Sequence, residues 1–219
     1  MAEAMRQAVV EMLKGIERYN PENLTTLENY VEIQARENAY DLEANLAVLK
    51  LYQLNPQRFK VNITCQILLK ALTNLPHTDF VLCKCLLSES IMAQDPINQI
   101  MYLGDILEQC DFQLFWERAR TISNLYDSIV GFQDSIRKFV CHVVGITFQT
   151  IDKPLLSQLL GDVEDTTLNH WVQKYGWREQ SRQGRNIIFI ANQDENIKTK
   201  NITEKIDFEN VAGLMAACL

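Results

Sequence analysis

No uninterrupted apolar run in this sequence approaches the roughly 18 residues of a membrane span, and the first sixteen residues are amphipathic, with Glu3 and Glu11 among them. A spanning helix and a secretory signal are therefore not expected, and the chain is expected in the cytoplasm, with the nucleus also open. A phosphate loop, a dinucleotide fingerprint, a nucleophile elbow and a paired-histidine zinc motif are also missing. No catalytic residue is assigned, and neither a metal nor a cofactor is expected. His77, His142 and His170 fall on three separate expected elements, where isolated histidines are more often structural than catalytic.

Cys83-Lys84-Cys85 invites a metal reading, but residues two apart on a helix point to different faces and cannot chelate together. In a reducing compartment the six cysteines stay thiols. Cys65, Cys83 and Cys141 lie among apolar helical positions and are expected to pack, leaving Cys218 as the most reactive. The triplets beginning at Asn23, Asn62 and Asn201 match the glycosylation pattern by chance, since modification needs the secretory route.

With 47% hydrophobic and 22% charged residues, the 219-residue chain can form one or two folded domains. Its net charge of -7 is uneven: up to Val130 there are 11 Lys and Arg against 17 Asp and Glu, and from Gly131 onward 10 against 11. The acidic first part repels phosphate backbones, so any nucleic acid has to be met by the second.

Seven amphipathic segments precede Gly131. Met5, Val9, Met12 and Ile16 mark the first. Leu24, Leu27 and Val31 mark the second, which Asn20-Pro21 starts, and Leu42, Leu46 and Leu49 mark the third, which Asn55-Pro56 ends. Leu68, Ala71, Leu72 and Leu75 give the fourth, Phe80, Cys83, Leu87 and Ile91 the fifth, and Ile100, Leu103 and Leu107 the sixth. Phe112, Phe115, Trp116, Ala119 and Ile122 form a wide aromatic stripe on the seventh, read as core. Short connections imply antiparallel pairs in a curved stack, irregular because the diagnostic tetratricopeptide residues are absent.

The pattern changes at Gly131. Phe132, Ile136, Phe139, Val140 and Val143 make a helix, Ile146 to Ile151 a short strand, and Asp152-Lys153-Pro154 opens a helix that Gly161 closes. Asp162 is expected to cap the next helix, whose inner face is Leu168, Trp171, Val172 and Tyr175, with Gly176 ending it. Strands at Trp177 and its neighbours and at Asn186 to Ala191 flank a polar Gln180 to Gly184 turn. The fold class is thus mainly α: an irregular, HEAT/PCI-like helical-repeat array over 1–130, a winged-helix domain over 131–192, and a C-terminal segment over 193–219 with one more helix.

A helix-turn-helix core is a common DNA reader, yet Asp162, Glu164 and Asp165 crowd the start of its second helix and no Arg or Lys precedes Lys174 there. Sequence-specific DNA binding is not expected. Arg178, Arg182 and Arg185, with Lys198 and Lys200 beyond, are instead candidates for a weak contact with RNA or a partner at the wing. Phe208, Val211, Leu214 and Met215 form an apolar stripe behind the N-cap candidate Asp207, so this last helix is a candidate for docking on a partner helix, and folding back on its own domain is the competing reading.

A helical stack followed by a winged helix and a final amphipathic helix resembles the architecture shared by scaffold subunits of the proteasome lid, the signalosome and translation initiation factor 3. Lys14 to Leu24, Gln34 to Leu46, Leu75 to Phe80, Tyr102 to Asp105, Arg137 to Thr147, Lys174 to Trp177 and Lys205 to Phe208 are similar to the subunit K family of eukaryotic translation initiation factor 3. The resemblance implies a non-catalytic scaffold in that complex, with subunit L as nearest partner and the small ribosomal subunit met through the assembly. A winged-helix nucleic-acid-binding regulator is the alternative, and an enzyme with an unrecognised site a third.

Overall fold

Nine helices precede Gly131 among the residues that the structure, a computed structural model, describes: 2–182, 185–192, 211, 215 and 216. They are α1 Ala2–Met12, α2 Leu24–Arg36, α3 Leu42–Leu54, α4 Val61–Leu72, α5 Asp79–Cys85, α6 Glu89–Met92, α7 Ile97–Glu108, α8 Phe112–Thr121 and α9 Ser123–Tyr126. Then follow α10 Phe132–Thr147, β1 Thr150–Asp152, α11 Lys153–Leu159, α12 Asp165–Lys174, β2 Arg178–Arg182 and β3 Arg185–Phe189. None of the described helices is long and apolar enough to cross a membrane.

The expected helices are present with shifted ends. The first stops at Met12, because Gly15 takes φ +59° and Ile16 is left 83% exposed. Asn20 does cap a turn, its side chain accepting from the Glu22 amide at 3.0 Å, but that turn is a short 3₁₀ segment before α2. The fourth runs from Val61 and ends at Leu72, short of Leu75, whose conformation the following Pro76 restricts. The fifth splits into α5 and α6, since Ser88 is extended. The strand expected from Ile146 starts only at Thr150: α10 continues to Thr147, burying Val140 and Val144 four apart, and that packing overrides the β preference of its branched residues.

Helix α4 is the hub of the array, packing against α2, α3, α5, α7, α9 and α10. Nine of its twelve residues are consequently buried, Lys70 among them. Around it polar groups of the interior are paired, although Gln66 Oε1 on α4 itself is buried without a partner among the described residues. Glu28 accepts the Tyr52 hydroxyl at 2.7 Å and Lys60 Nζ at 2.6 Å, while Gln34 joins Asn45 at 3.0 Å and the Asp41 amide at 2.7 Å. Asp79 accepts Tyr40 Oη at 2.7 Å and Asn74 Nδ2 at 2.6 Å. Gly104 lets α7 approach Phe80 so closely that a Cβ there would lie 2.2 Å from its ring.

After Gly131 the order is helix, strand, helix, helix, hairpin, with a three-stranded antiparallel sheet ordered β1-β3-β2. Ile151 and Ile188 pair across β1 and β3 on its buried face. The core is continuous from Val9 in α1 to Ile190 after β3. The seam between the array and this second part is polar at its rim. Three successive carbonyls at the end of α11 take side-chain donors: Leu159 from Trp116 Nε1 at 2.8 Å and Gly161 from Arg120 at 3.3 Å across the seam, and Leu160 from Arg137 Nε at 3.1 Å within the second part. The guanidinium of Arg137 also lies 5.2 Å from the Trp116 ring centroid. Helix C-terminal carbonyls lack intrahelical partners and form the negative end of the dipole, so cationic donors suit them. Gly161 has φ +94°, and a Cβ there would lie 2.8 Å from Trp116. Asp162 does not cap α12. It bonds Arg120 at 2.6 Å, and α12 begins at Asp165 after Glu164.

Lys70 is 1% exposed and its Nζ lies 3.5 Å from Asn38 Oδ1. Burial pushes its ammonium down from 10.5 to about 8. Replacing it with Met should stabilise the protein by about 1 to 3 kcal/mol at pH 7. Below pH 8 native and unfolded lysines are both protonated and the cost of burying the charge stands in full. Between about pH 8 and 10.5 the unfolded chain holds a proton that the native chain has released, so rising pH favours the wild-type fold and the advantage of Lys70→Met shrinks. Urea titrations of both proteins at pH 7 and pH 9 measure this.

Candidate interaction surfaces

The hairpin carries the arginines that the sequence singled out. Arg178 opens β2 and is exposed. It pairs with Phe189, while Arg182 pairs with Arg185 at the far end, about 14 Å away at 3.4 Å per residue. Because positions two apart share a face and paired positions lie on the same side, the register puts 178, 182 and 185 on one face of the sheet, opposite the one that buries Ile151 and Ile188. The turn is shorter than Gln180 to Gly184: strand pairing runs through Arg182, leaving only positions 183 and 184 between the strands. On the inner face Glu179 meets Lys153 at 3.2 Å. Lys198 and Lys200 lie outside the described residues.

The start of α12 presents carboxylates, with Glu164 and Asp165 exposed and Asn169 exposed one turn on. Its other end is cationic and aromatic. Tyr175 stacks on Trp171 at 6.3 Å and on Trp177 at 5.3 Å, and Lys174 Nζ lies 4.5 Å from the Trp171 ring centroid. Trp171 and Trp177 are buried, but Tyr175, expected on the inner face, is 38% exposed and its hydroxyl reaches the Lys138 carbonyl at 3.5 Å. This cluster was not picked out from the sequence. Its one local signal is that Lys174 to Trp177 forms a compact block of a cation and two aromatics.

Of the C-terminal stripe, Val211 and Met215 are helical, Val211 half-buried and Met215 66% exposed. Phe208 and Leu214 lie outside the described residues, as does Cys218. A second apolar feature is a groove of about 470 Å³ between the end of α3 and the break from α5 to α6, lined by Leu49, Tyr52, Phe59, Leu86 and Ile91 among others.

Groups with nucleophilic or ligating chemistry are placed apart. Cys65, Cys83 and Cys141 are buried, and burial pushes their thiols up to about 11, 12 and 12, the opposite of thiolate activation. Cys85 is exposed while Cys83 is buried, so the two point to different faces of α5. The described residues contain no cluster of His, Cys, Asp and Glu suited to a metal. The aromatic stripe of α8 is core, with Phe112, Phe115, Trp116 and Ala119 all buried.

A sequence profile of the CSN8/PSMD8/EIF3K family matches residues 58–201. The chain is 66% identical to a protein of Bombyx mori over 99% of its own length and 97% of that protein's. Corresponding values are 61%, 97% and 96% for one of Xenopus tropicalis, and 60%, 99% and 98% for one of Homo sapiens. All three relatives carry the name eukaryotic translation initiation factor 3 subunit K. The chain belongs to the CSN8/PSMD8/EIF3K family, in its eukaryotic translation initiation factor 3 subunit K branch.

Proposed function

We infer that this chain is a non-catalytic scaffold subunit of the cytoplasmic translation initiation factor 3 complex, binding neighbouring subunits, subunit L first among them, and meeting the small ribosomal subunit through the assembly. The observation that carries this reading is identity of 60% or more, over nearly the whole chain, with relatives named as that subunit. Buried thiols with raised pKa values also argue against cysteine chemistry in the core. In this reading residues 1–130 are a HEAT/PCI-like array, 131–192 a winged helix, and 193–219 a segment whose helix docks on partner helices. The helix, strand, helix, helix, hairpin order supports the winged helix. A winged-helix gene regulator fits less well, because the helix that would enter a groove starts with exposed Glu164 and Asp165.

Two surfaces serve assembly. Arg178, Arg182 and Arg185 offer a salt-sensitive contact for the ribosome or a neighbour. Phe208, Val211, Leu214 and Met215 offer an apolar one, and the 66% exposure of Met215 favours docking over folding back. Burying such side chains contributes about 1.5 to 3 kcal/mol each. Changing Phe208, Val211 and Met215 to Ser should leave the melting temperature of the free protein nearly unchanged and sharply lower its recovery with the native complex, measured by affinity purification and mass spectrometry. A lower melting temperature with normal recovery would place the helix in the chain's own core.

A further inference from the structure

The groove between the end of α3 and the break from α5 to α6 exists because two helices stop there. Asn55-Pro56 ends α3 and opens a 3₁₀ turn over Pro56–Arg58, while the extended Ser88 separates α5 from α6. About 470 Å³ is left between them, within the range of ligand sites. Leu49, Tyr52, Pro56, Phe59, Leu86 and Ile91 form its apolar walls. Tyr52 and Phe59 meet edge to face at 5.3 Å, and the Tyr52 hydroxyl is committed to Glu28 at 2.7 Å, which leaves its ring to the groove.

The polar groups of the rim are neutral and exposed: Gln53, Ser88, Ser90 and Gln94. No Asp, Glu, Lys or Arg lines the groove, in a chain where 22% of residues are charged. What the rim offers is donors. Gln53 Oε1 takes Lys50 Nζ at 2.8 Å, so the Nε2 hydrogens have no acceptor among the described residues. The Gln94 side chain makes no hydrogen bond among them either. The Ser88 and Ser90 hydroxyls lie 3.0 Å apart, so one O–H serves the other oxygen and the second remains for a ligand.

A complementary ligand is uncharged, apolar on one side and rich in carbonyl acceptors. A charged segment would lose water here without meeting a counter-charge. A helix satisfies its own carbonyls, so one laid over the rim would leave these donors unpaired. A polyproline II segment has no internal hydrogen bonds, keeps its carbonyls open and lacks the N–H at each proline. We propose that the groove docks an uncharged, proline-rich segment of a partner protein in the polyproline II conformation. Its prolines sit against Tyr52, Pro56 and Phe59, and its carbonyls accept from Gln53 and Gln94; aromatic-lined grooves are the usual readers of such segments. The groove belongs to α3, α5, α6 and the turn after α3, none of which carries the hairpin arginines or the C-terminal stripe, and the proposal goes beyond the scaffold reading without resting on it.

The probe is a set of fluorescein-labelled decapeptides of the pattern Pro-x-x-Pro, with each uncharged residue in turn at x, titrated with the full chain by fluorescence anisotropy. An amphipathic helical peptide of about twenty residues is titrated alongside. At least one proline-rich peptide should bind with Kd below about 1 mM, and its affinity should not change between about 50 and 500 mM salt, because no ion pair forms. Gln53→Glu/Gln94→Glu, nearly isosteric changes that turn amide donors into acceptors, should weaken binding at least about tenfold. Ser90→Arg/Gln94→Arg, which sets unpaired charge on the rim, should abolish it. Asn98→Arg/Glu117→Arg elsewhere on the array should bind as wild type, and circular dichroism melts confirm that the variants fold. Absence of binding by every proline-rich peptide, unchanged affinity in Gln53→Glu/Gln94→Glu, or tighter binding of the helical peptide through the same rim overturns the proposal.

Discussion

Two carbonyl groups at the end of α11, those of Leu159 and Gly161, tie the second half of the chain to the first. Left alone, Leu159, Leu160 and Gly161 would end a short helix with unpaired acceptors at a partly buried seam, where an acceptor shut off from water costs about 1 to 3 kcal/mol. Trp116, Arg137 and Arg120 satisfy them from α8 and α10, and only a residue without a Cβ fits at 161 beneath the Trp116 ring. Trp116 is buried, so its bond carries more weight than the Arg120 to Asp162 pair, whose side chains are both more than half exposed. The seam holds α12 and the hairpin in place against the array.

The array follows from a different constraint, the nearly complete burial of α4. A helix surrounded by six others has no solvent stripe, which explains both its apolar composition and the presence of a lysine depressed to about 8 in its interior. The neighbouring polar groups are paired with one another, as Glu28 with Tyr52 and Lys60, and Asp79 with Tyr40 and Asn74. Such pairs fix which helix lies beside which more sharply than apolar contact does.

Helical periodicity was enough to find the main helices and the change of order at Gly131, because apolar spacing follows directly from one buried face. It failed where tertiary packing outweighed local preference. Ile146 and Thr147 read as strand but extend α10, and Asp162 reads as a helix cap but serves Arg120. The blocks that carry the family resemblance turn out to touch. Tyr40 of one bonds Asp79 of another, Gly104 of a third admits the Phe80 ring, and Tyr175 reaches the Lys138 carbonyl. Their spacing along the chain gave no sign of this, since each contact joins residues brought together only by folding.

The capped end of α11 is expected to bind the array and the sheet-bearing part into one cooperative unit. Urea unfolding followed at once by far-ultraviolet circular dichroism, dominated by the array, and by tryptophan fluorescence tests it most directly. In Trp116→Phe/Arg137→Gln the remaining tryptophans, Trp171 and Trp177, both report on the second part. Coincident transitions in the wild type and two separated transitions in the variant, with fluorescence changing at lower urea, are the predicted result. Coincident transitions in both proteins at the same midpoint would contradict the claim.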